Sequence, residues 1–265
     1  MSMAWPTTWR PPSFFGSRGR QNIVVVVALL YVVWSVSSLN VDMRRTLAGF
    51  GRAADLFMRM IPPDFSRWEL LVKGMTESLQ MAFAATLVGV VLSVPLGIAA
   101  ARNLAPRPVY LAARGIIVVG RTFHEVIIAI FFVKLFGFGP VAGLLTLALS
   151  SIIFLAKMLA EDIENIRSGP IEAVRATGAG FWQVVAYAVV PQVLTRSVGT
   201  AIYRLDANVR HSTVVGIVGA GGIGHTLSAS FSRYDYDFAA AILLGIIALV
   251  ALGEWFSDWV RRRLR

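Results

Sequence analysis

Residues 79–101 of this chain read LQMAFAATLVGVVLSVPLGIAAA, a run without a charged side chain. Two more uncharged runs follow, at 135–156 and 238–253. A helix of about 18 or more apolar residues crosses the roughly 30 Å of bilayer hydrocarbon. Lipid offers the backbone no hydrogen-bond partners, so only helices or closed barrels span it. These runs are continuously apolar rather than alternating, which excludes a barrel and predicts an all-α polytopic membrane protein.

The composition agrees with this class. The 265 residues are 56% hydrophobic and 15% charged, with a mean hydropathy of +0.67, whereas soluble domains are about 45–50% apolar and about 25% charged. The net charge of +10 comes largely from residues near span ends, without the interleaved aromatics that bind single-stranded nucleic acid. Cysteine is absent, and His124, His211 and His225 show no metal-ligand spacing. We therefore expect neither a nucleic-acid partner nor a metal site.

Six membrane spans are predicted, at about 22–39, 76–101, 109–136, 140–160, 191–218 and 237–259. Between the first two, residues 40–75 carry mixed charge and a Pro62-Pro63 break, which favours one or two amphipathic helices at the membrane interface. The first run also resembles a signal peptide, with arginines before it and small residues after it. Because it continues through Trp34 and Leu39, we favour an uncleaved first span.

These spans divide the chain into an N-terminal tail (1–21), a first span with its interfacial segment (22–75), a core (76–260) containing a polar loop (161–191), and a basic tail (261–265). The short loops and both ends carry Lys and Arg, which cytoplasmic segments accumulate. Residues 40–75 also carry six basic residues, but long segments weigh less in this rule. We therefore expect both termini and the polar loop on the cytoplasmic side.

The polar loop contains residues 168–178, SGPIEAVRATG, and reaches Pro191. Gly169-Pro170 predicts the start of a short helix, because proline suits a first helical turn. Glu172 lies near that start, where the helix dipole favours a carboxylate. Ala173, Ala176 and Ala179 recur every third residue, so they form a smooth face that another protein can approach closely. The loop thus predicts a contact with a soluble partner.

The pattern Glu172-Ala173-x4-Gly178-x12-Pro191 resembles the EAA loop of bacterial ABC-importer permeases, with Val174, Ala188 and Val190 replacing an alanine, an isoleucine and a leucine. The resemblance implies a MetI-like, type I permease of about six transmembrane helices. It also implies that ATP and Mg are bound by two separate ATPase subunits, so that this chain holds no cofactor. The loop would then be the coupling helix that docks on the ATPase, through Glu172, Ala173, Arg175, Ala176, Thr177, Gly178, Ala179 and Pro191.

A second stretch, YRLDANVRHSTVVGIVGAGGIG at 203–224, is similar to the fifth-span signature of phosphonate-importer permeases. GFGPVAG at 137–143, KMLAEDIEN at 157–165 and Pro63-Asp-Phe65 add to this resemblance, which covers about 60–261. It implies an inner-membrane pathway for phosphonate or a related phosphorus oxyanion, a second permease copy or paralogue, and an extracytoplasmic binding protein. Methionine-importer permeases share part of the signature, and His124 departs from the proline usual there, so methionine or another oxyanion stays open as the substrate.

Two predicted spans contain charged and polar residues: Arg121, His124 and Glu125 in the third, and Arg204, Asp206, Asn208, Arg210, His211 and Thr213 in the fifth. Charges inside a span cost roughly 2.5–3.5 kcal/mol each on insertion scales and usually face a cavity or a partner. One interpretation is internal pairing, such as Arg121 with Glu125 or Asp206 with Arg210. The other is a cationic path in which arginine binds a doubly charged phosphonate. The sequence leaves both open.

The glycines after the fifth span, Gly219, Gly221, Gly222 and Gly224, fit the letters of a dinucleotide fingerprint, but the acid it needs about 20 residues later is absent. Glycines let helices approach closely in lipid, and the resemblance implies a gate near the extracytoplasmic mouth. Two other function classes require patterns of their own. A polytopic membrane enzyme would need an assembled acid, nucleophile or metal cluster, and a secondary transporter would need paired broken helices. Neither pattern is present, so we expect a transport subunit rather than an enzyme.

Overall fold

The computed structural model describes residues 18–39 and 42–263. These are helical with short connections, and no strand occurs among them. Most of the predicted N-terminal tail (1–21) and the last two residues of the basic tail (261–265) lie outside this part. The helices are α1 (Arg18–Ser38), α2 (Met43–Arg59), α3 (Trp68–Ala99), α4 (Arg107–Thr122), α5 (Glu125–Phe136), α6 (Pro140–Glu164), α7 (Ser168–Ala176), α8 (Phe181–Val184), α9 (Val190–Ile217), α10 (Gly222–Ser232) and α11 (Tyr236–Arg263).

The chain divides into two compact units, one up to Met58 and one from Arg59 onward. In the first unit, α1 has 21 residues, which is about 31 Å at 1.5 Å per residue. Its apolar side chains, such as Val27 and Leu30, are exposed. An apolar helix of this length with exposed apolar side chains fits the first predicted span.

The segment between the first two predicted spans contains one long helix, α2, rather than two. None of the residues of α2 is buried. Leu47, Phe50 and Phe57 are exposed on this helix, which also carries arginines. Large apolar side chains at helical spacing beside arginines are typical of a helix lying in a membrane interface.

The core of the second unit is the packing of α3 against α6 and α9. A stripe of small residues on α3, including Ala82, Ala85 and Gly89, is buried. A Cβ placed on Gly89 would lie only 2.5 Å from Cβ of Ser151 on α6. Small residues at such contacts let helix backbones approach closely in lipid. The contact therefore depends on Gly89 having no side chain.

Within residues 18–39 and 42–263, five helical segments are long and apolar enough to cross a membrane, or six if α4 and α5 form one span. This agrees with the six predicted spans in number. The third predicted span, 109–136, is however not one continuous helix, because α4 and α5 meet at an angle of 90°. His124 has extended backbone angles at the break, and its Nδ1 accepts a hydrogen bond from the Val126 N–H at 3.3 Å. A side chain that caps a helix start in this way explains why a new helix begins at Glu125.

The predicted helix in the polar loop is present as α7. Ile171 fixes it by packing into a buried cluster with Ile163 and Val189. Gly178 then takes a φ of +81°, a left-handed conformation that glycine adopts without strain and that commonly ends a helix. The chain continues through α8 and a π-helical turn at 185–189 into α9. Pro191 lies in the first turn of α9, where its missing N–H is not needed.

Candidate functional site: an intramembrane polar cavity and an exposed loop helix

A polar cavity of about 530 Å³ opens where the α4–α5 break meets α6 and α9. The bend explains its position, because α5 turns away from α4 by 90° and leaves space beside its first residues. Six of its thirteen wall residues are polar or charged, although all four helices belong to predicted spans. These side chains are Arg121, His124, Glu125, Ser150, Arg204 and His211.

Glu125 is the centre of the polar contacts in this cavity. Arg204 Nη2 donates to its Oε1 at 2.9 Å, and the Ser150 hydroxyl donates to the same oxygen. His211 Nδ1 lies 2.6 Å from Oε2, although the atoms are not aligned for a hydrogen bond. The carboxylate charge is therefore balanced by Arg204, and by His211 as well when its imidazole is protonated.

Arg204 is only 5% exposed, so its guanidinium depends on protein partners. Besides Glu125, it donates to the hydroxyls of Ser150 at 2.7 Å and Ser151 at 2.9 Å. The Phe154 ring lies 5.3 Å from its central carbon, within the range of a cation–π contact. Arg204 is thus a structural tie between α5, α6 and α9 as well as part of the cavity wall.

Asn208 extends this network one turn along α9, where it is fully buried. Its Nδ2 donates to Thr86 of α3 at 2.8 Å and to Ser151 of α6 at 2.9 Å. Within the described ranges its Oδ1 has no hydrogen-bond partner. Sequence reasoning missed Thr86, Ser150 and Ser151. Their signal was weak but present, since they are hydroxyl residues inside the uncharged runs.

The two pairings considered from the sequence have different outcomes. Asp206 does pair with Arg210, at 3.0 Å, and Arg210 also lies 3.4 Å from Glu254 of α11. Arg121 does not pair with Glu125: the helix breaks between them, and Glu125 contacts Arg204 instead. In the described part of the chain, the Arg121 side chain makes no recorded hydrogen bond or ion pair, although it lines the cavity.

The helix α7 forms a second candidate site. Its residues Glu172, Ala173, Arg175 and Ala176 are exposed, as are Thr177 and Gly178. A shallow hollow of about 620 Å³ lies beside it, lined by Ala173, Val174, Thr177, Gly178, Ala179, Gln183 and Tyr187. Tyr187 is 74% exposed and Trp182 is 71% exposed. Exposed aromatic side chains are enriched both in protein–protein contacts and at membrane interfaces.

Comparison with known proteins identifies the family. Residues 93–265 match the family model of the binding-protein-dependent transport system inner membrane component. The chain belongs to this family. It is therefore an integral inner-membrane protein and a permease subunit of an ABC importer, a transport component rather than an enzyme. Permeases of this kind work with ATPase subunits and a binding protein.

Individual relatives agree with the family. The permease is 44% identical over 211 residues to the phosphate-import permease protein PhnE of Mycolicibacterium smegmatis, covering 79% of this chain but only 40% of that protein. It is 40% identical over 246 residues to the phosphite transport system permease protein PtxC of Stutzerimonas stutzeri, covering 92% and 89% of the two chains. Its fold matches the inward-facing MetNI methionine ABC transporter with a TM-score of 0.66 and 27% identity, over 76% of this chain and 99% of that one. The predicted MetI-like fold is confirmed.

The glycine-rich turn of the permease joins α9 to α10. Gly219, Gly221 and Gly222 all have positive φ, at 94°, 79° and 71°. A Cβ on Gly221 would lie 2.6 Å from the Pro140 backbone nitrogen, so the turn is pressed against the start of α6. The Gly139 N–H donates to the Gly219 carbonyl at 3.0 Å. The chain reverses direction at this turn.

Not every predicted pathway residue lies at the cavity of the permease. Arg121, His124, Glu125, Arg204 and His211 line it together. The remaining predicted residues are outside its wall: Asp206, Asn208, Arg210, Thr213, Gly219, Gly221, Gly222 and Gly224. Roles in transport for all of them, and the docking roles of α7, stay predictions.

Proposed function

We propose that this permease forms the pathway for a phosphorus oxyanion, namely phosphonate, phosphite or phosphate, in an ATP-driven importer. The observation that carries the proposal is the intramembrane cavity in which Arg121 has no partner among the described residues while Glu125 is already engaged. The proposal also takes support from relatives that carry phosphate or phosphite in their names.

The charges of the cavity favour an anion. Its wall has one carboxylate, Glu125, two arginines and two histidines. Arg204 neutralises that carboxylate, which leaves Arg121 as an uncompensated cation with His124 beside it. A guanidinium can donate two parallel hydrogen bonds to two oxygens of the same group, and a phosphonate or phosphite presents such a pair of oxygens.

Methionine is the second candidate substrate. The probable D-methionine permease MetI of Pasteurella multocida is 31% identical to this chain over 211 residues, covering 74% of this chain. Methionine is a zwitterion, so a site for it would need a free acceptor for the ammonium group. Glu125 is the carboxylate of the cavity, and its oxygens are contacted by Arg204, Ser150 and His211. This arrangement favours the oxyanion.

The conformational change driven by ATP hydrolysis would reach this chain through α7. Its exposed residues Glu172, Ala173 and Ala176, with the hollow beside them, would dock on an ATPase subunit that binds ATP and Mg. This chain itself would hold no cofactor. The complete importer would have two ATPase subunits and a second permease, either a copy of this chain or a paralogue.

The basic residues of the short loops and of both ends support cytoplasmic termini, with α7 on the same side. The turn at Gly219–Gly224 would then face outward, where a binding protein delivers the substrate. The test is uptake by the reconstituted importer with radiolabelled methylphosphonate, challenged with unlabelled phosphite, phosphate or methionine. We expect a phosphorus oxyanion to compete and methionine not to. Competition by methionine alone would overturn the substrate assignment.

A further inference from the structure

Two cavities adjoin each other at the α7 end of the core, away from the polar site. The first, of about 250 Å³, lies between α3, α6 and the start of α9. The second, of about 320 Å³, lies beside the α6–α7 connection. They share Asp162 and Val193 in their walls, so they lie side by side, and together they are called the groove.

The first cavity is almost wholly apolar. Valine and leucine side chains form most of its wall, and those at its rim, including Val94, Val190 and Leu194, are exposed. Ser93, Asp162, Ser197 and Thr200 also line it, and of these the Ser197 hydroxyl is buried without a hydrogen-bond partner among the described residues. An occupant of this cavity would therefore be largely hydrocarbon with an oxygen acceptor near Ser197.

The second cavity is polar and carries a net positive charge. Arg196 and Arg167 line it against a single carboxylate, Asp162. Arg196 Nη1 donates to Asp162 at 3.0 Å, and its other guanidinium donors have no partner among the residues that the structure describes. The Arg167 backbone N–H donates to Gln192 at 3.1 Å, while its guanidinium makes no recorded contact with residues that the structure describes.

We infer that this groove binds an anionic membrane phospholipid. One acyl chain would lie in the apolar cavity, the phosphate would contact Arg167 and Arg196, and an ester carbonyl would accept from Ser197. Basic pockets between transmembrane helices at the cytoplasmic side recognise anionic headgroups. The inference uses the orientation proposed above only to assign the site to the cytoplasmic leaflet.

A phospholipid fits better than a protein segment because one molecule supplies all three features that the groove requires. An acyl chain is already surrounded by hydrocarbon in the bilayer, so the apolar cavity favours binding only through its fit to the shape of the chain. Selection between lipids therefore depends on the headgroup and its contacts with the arginines. The bound lipid would hold the end of α6 against the start of α9, next to the π-helical turn at 185–189. Such turns are frequent at functional sites.

The test is native mass spectrometry of the purified importer from nanodiscs of phosphatidylcholine with or without phosphatidylglycerol. We expect phosphatidylglycerol adducts to persist after detergent exchange and to be about fivefold fewer in Arg167→Gln, because each basic residue adds a modest attraction to anionic lipid. Arg107→Gln is the matched control, since Arg107 is an exposed arginine at the start of α4 and does not line either cavity of the groove. Ala201→Leu, which fills the apolar wall, should lower adducts without changing charge.

Equal adducts in all variants, or equal retention of the two lipids, would overturn the inference. So would disulfide crosslinking of Leu194→Cys between two copies of the chain, because a second copy would then cover the groove; the chain has no other cysteine to confuse this result. The lipid measurement needs neither substrate nor ATP. A permease that retains phosphatidylglycerol but imports no oxyanion would therefore contradict the proposed function and leave this inference standing.

Discussion

Arg204 and Glu125 meet at 2.9 Å although 79 residues separate them in the chain. The contact ties the middle of α9 to the first residue of α5, on the far side of the 90° bend. Both side chains are largely buried, so each depends on the other. The pair therefore stabilises the bend that makes the cavity.

Replacing Glu125 tests this dependence. Glu125→Gln leaves the Arg204 charge buried without its counter-ion, and we expect a loss of about 3–5 kcal/mol in the free energy of unfolding. Thermal unfolding in detergent measures it. Glu254→Gln is the control, because Glu254 is half exposed, and its loss should cost under about 1 kcal/mol. Removing both charges, as Glu125→Gln with Arg204→Met, should recover part of the loss; a pair of additive losses would contradict the coupling.

The end of α7 provides a matched pair of glycines. Gly178 has a φ of +81° and Gly169 has no restricting φ, and a Cβ at either position would meet open space. Gly178→Ala should therefore cost about 1–2 kcal/mol through backbone strain alone and lower the import per ATP hydrolysed. Gly169→Ala should leave both quantities unchanged. Equal coupling ratios in the two variants would remove the role assigned to the end of α7.

The turn between α9 and α10 should be intolerant of any side chain. Gly221→Ala combines a φ of +79° with a 2.6 Å approach to the Pro140 backbone, and the backbone cannot give way. We expect the melting temperature to fall. Gly199→Ala within α9 meets no atom within 4 Å and should be neutral or stabilising by about 0.5–1 kcal/mol. The reverse order of the two melting temperatures would contradict the packing described here.

An ion pair outside the spans should make stability depend on pH. Arg67 contacts Asp235 and lies over the Phe238 ring. The hydrogen bond from Arg67 lowers the pKa of Asp235 below 3.8, and the Ser66 N–H lowers that of Asp64. A lowered pKa gives stability that is present above pH 4 and is lost as the pH falls through the folded-state value.

We expect Asp235→Asn to reduce the change in the free energy of unfolding between pH 5 and pH 3. The reduction should be roughly 0.2–1 kcal/mol, because the pair is partly exposed. Asp55→Asn, on a carboxylate for which no ion pair is recorded among the described residues, is the control. An unchanged pH profile in Asp235→Asn would show that the contact contributes nothing.

The sequence predicted much of the fold because its signals are local. Long uncharged runs mark spans, Gly169-Pro170 predicted the start of α7, and the spacing from Glu172 to Pro191 predicted the family. The α4–α5 bend was not predicted, since it depends on His124 capping a new helix rather than on any proline or glycine. Contacts between side chains on different helices could not be predicted from the sequence either. Arg121 with Glu125 was the pairing that helical spacing suggested, whereas the actual partner of Glu125 is Arg204, chosen by tertiary packing.

The central claim is that Arg121 binds the substrate in the membrane cavity during import. Its most direct test is ATP-dependent uptake of radiolabelled phosphite and methylphosphonate into proteoliposomes, comparing Arg121→Gln with Lys134→Gln, an exposed cation outside the cavity. We predict that Arg121→Gln loses at least about tenfold of uptake, as expected for a lost charge-assisted contact of roughly 1.5–3 kcal/mol, while its folding, its ATP hydrolysis and the Lys134→Gln control stay normal. Unchanged uptake of both oxyanions by folded Arg121→Gln would contradict the claim.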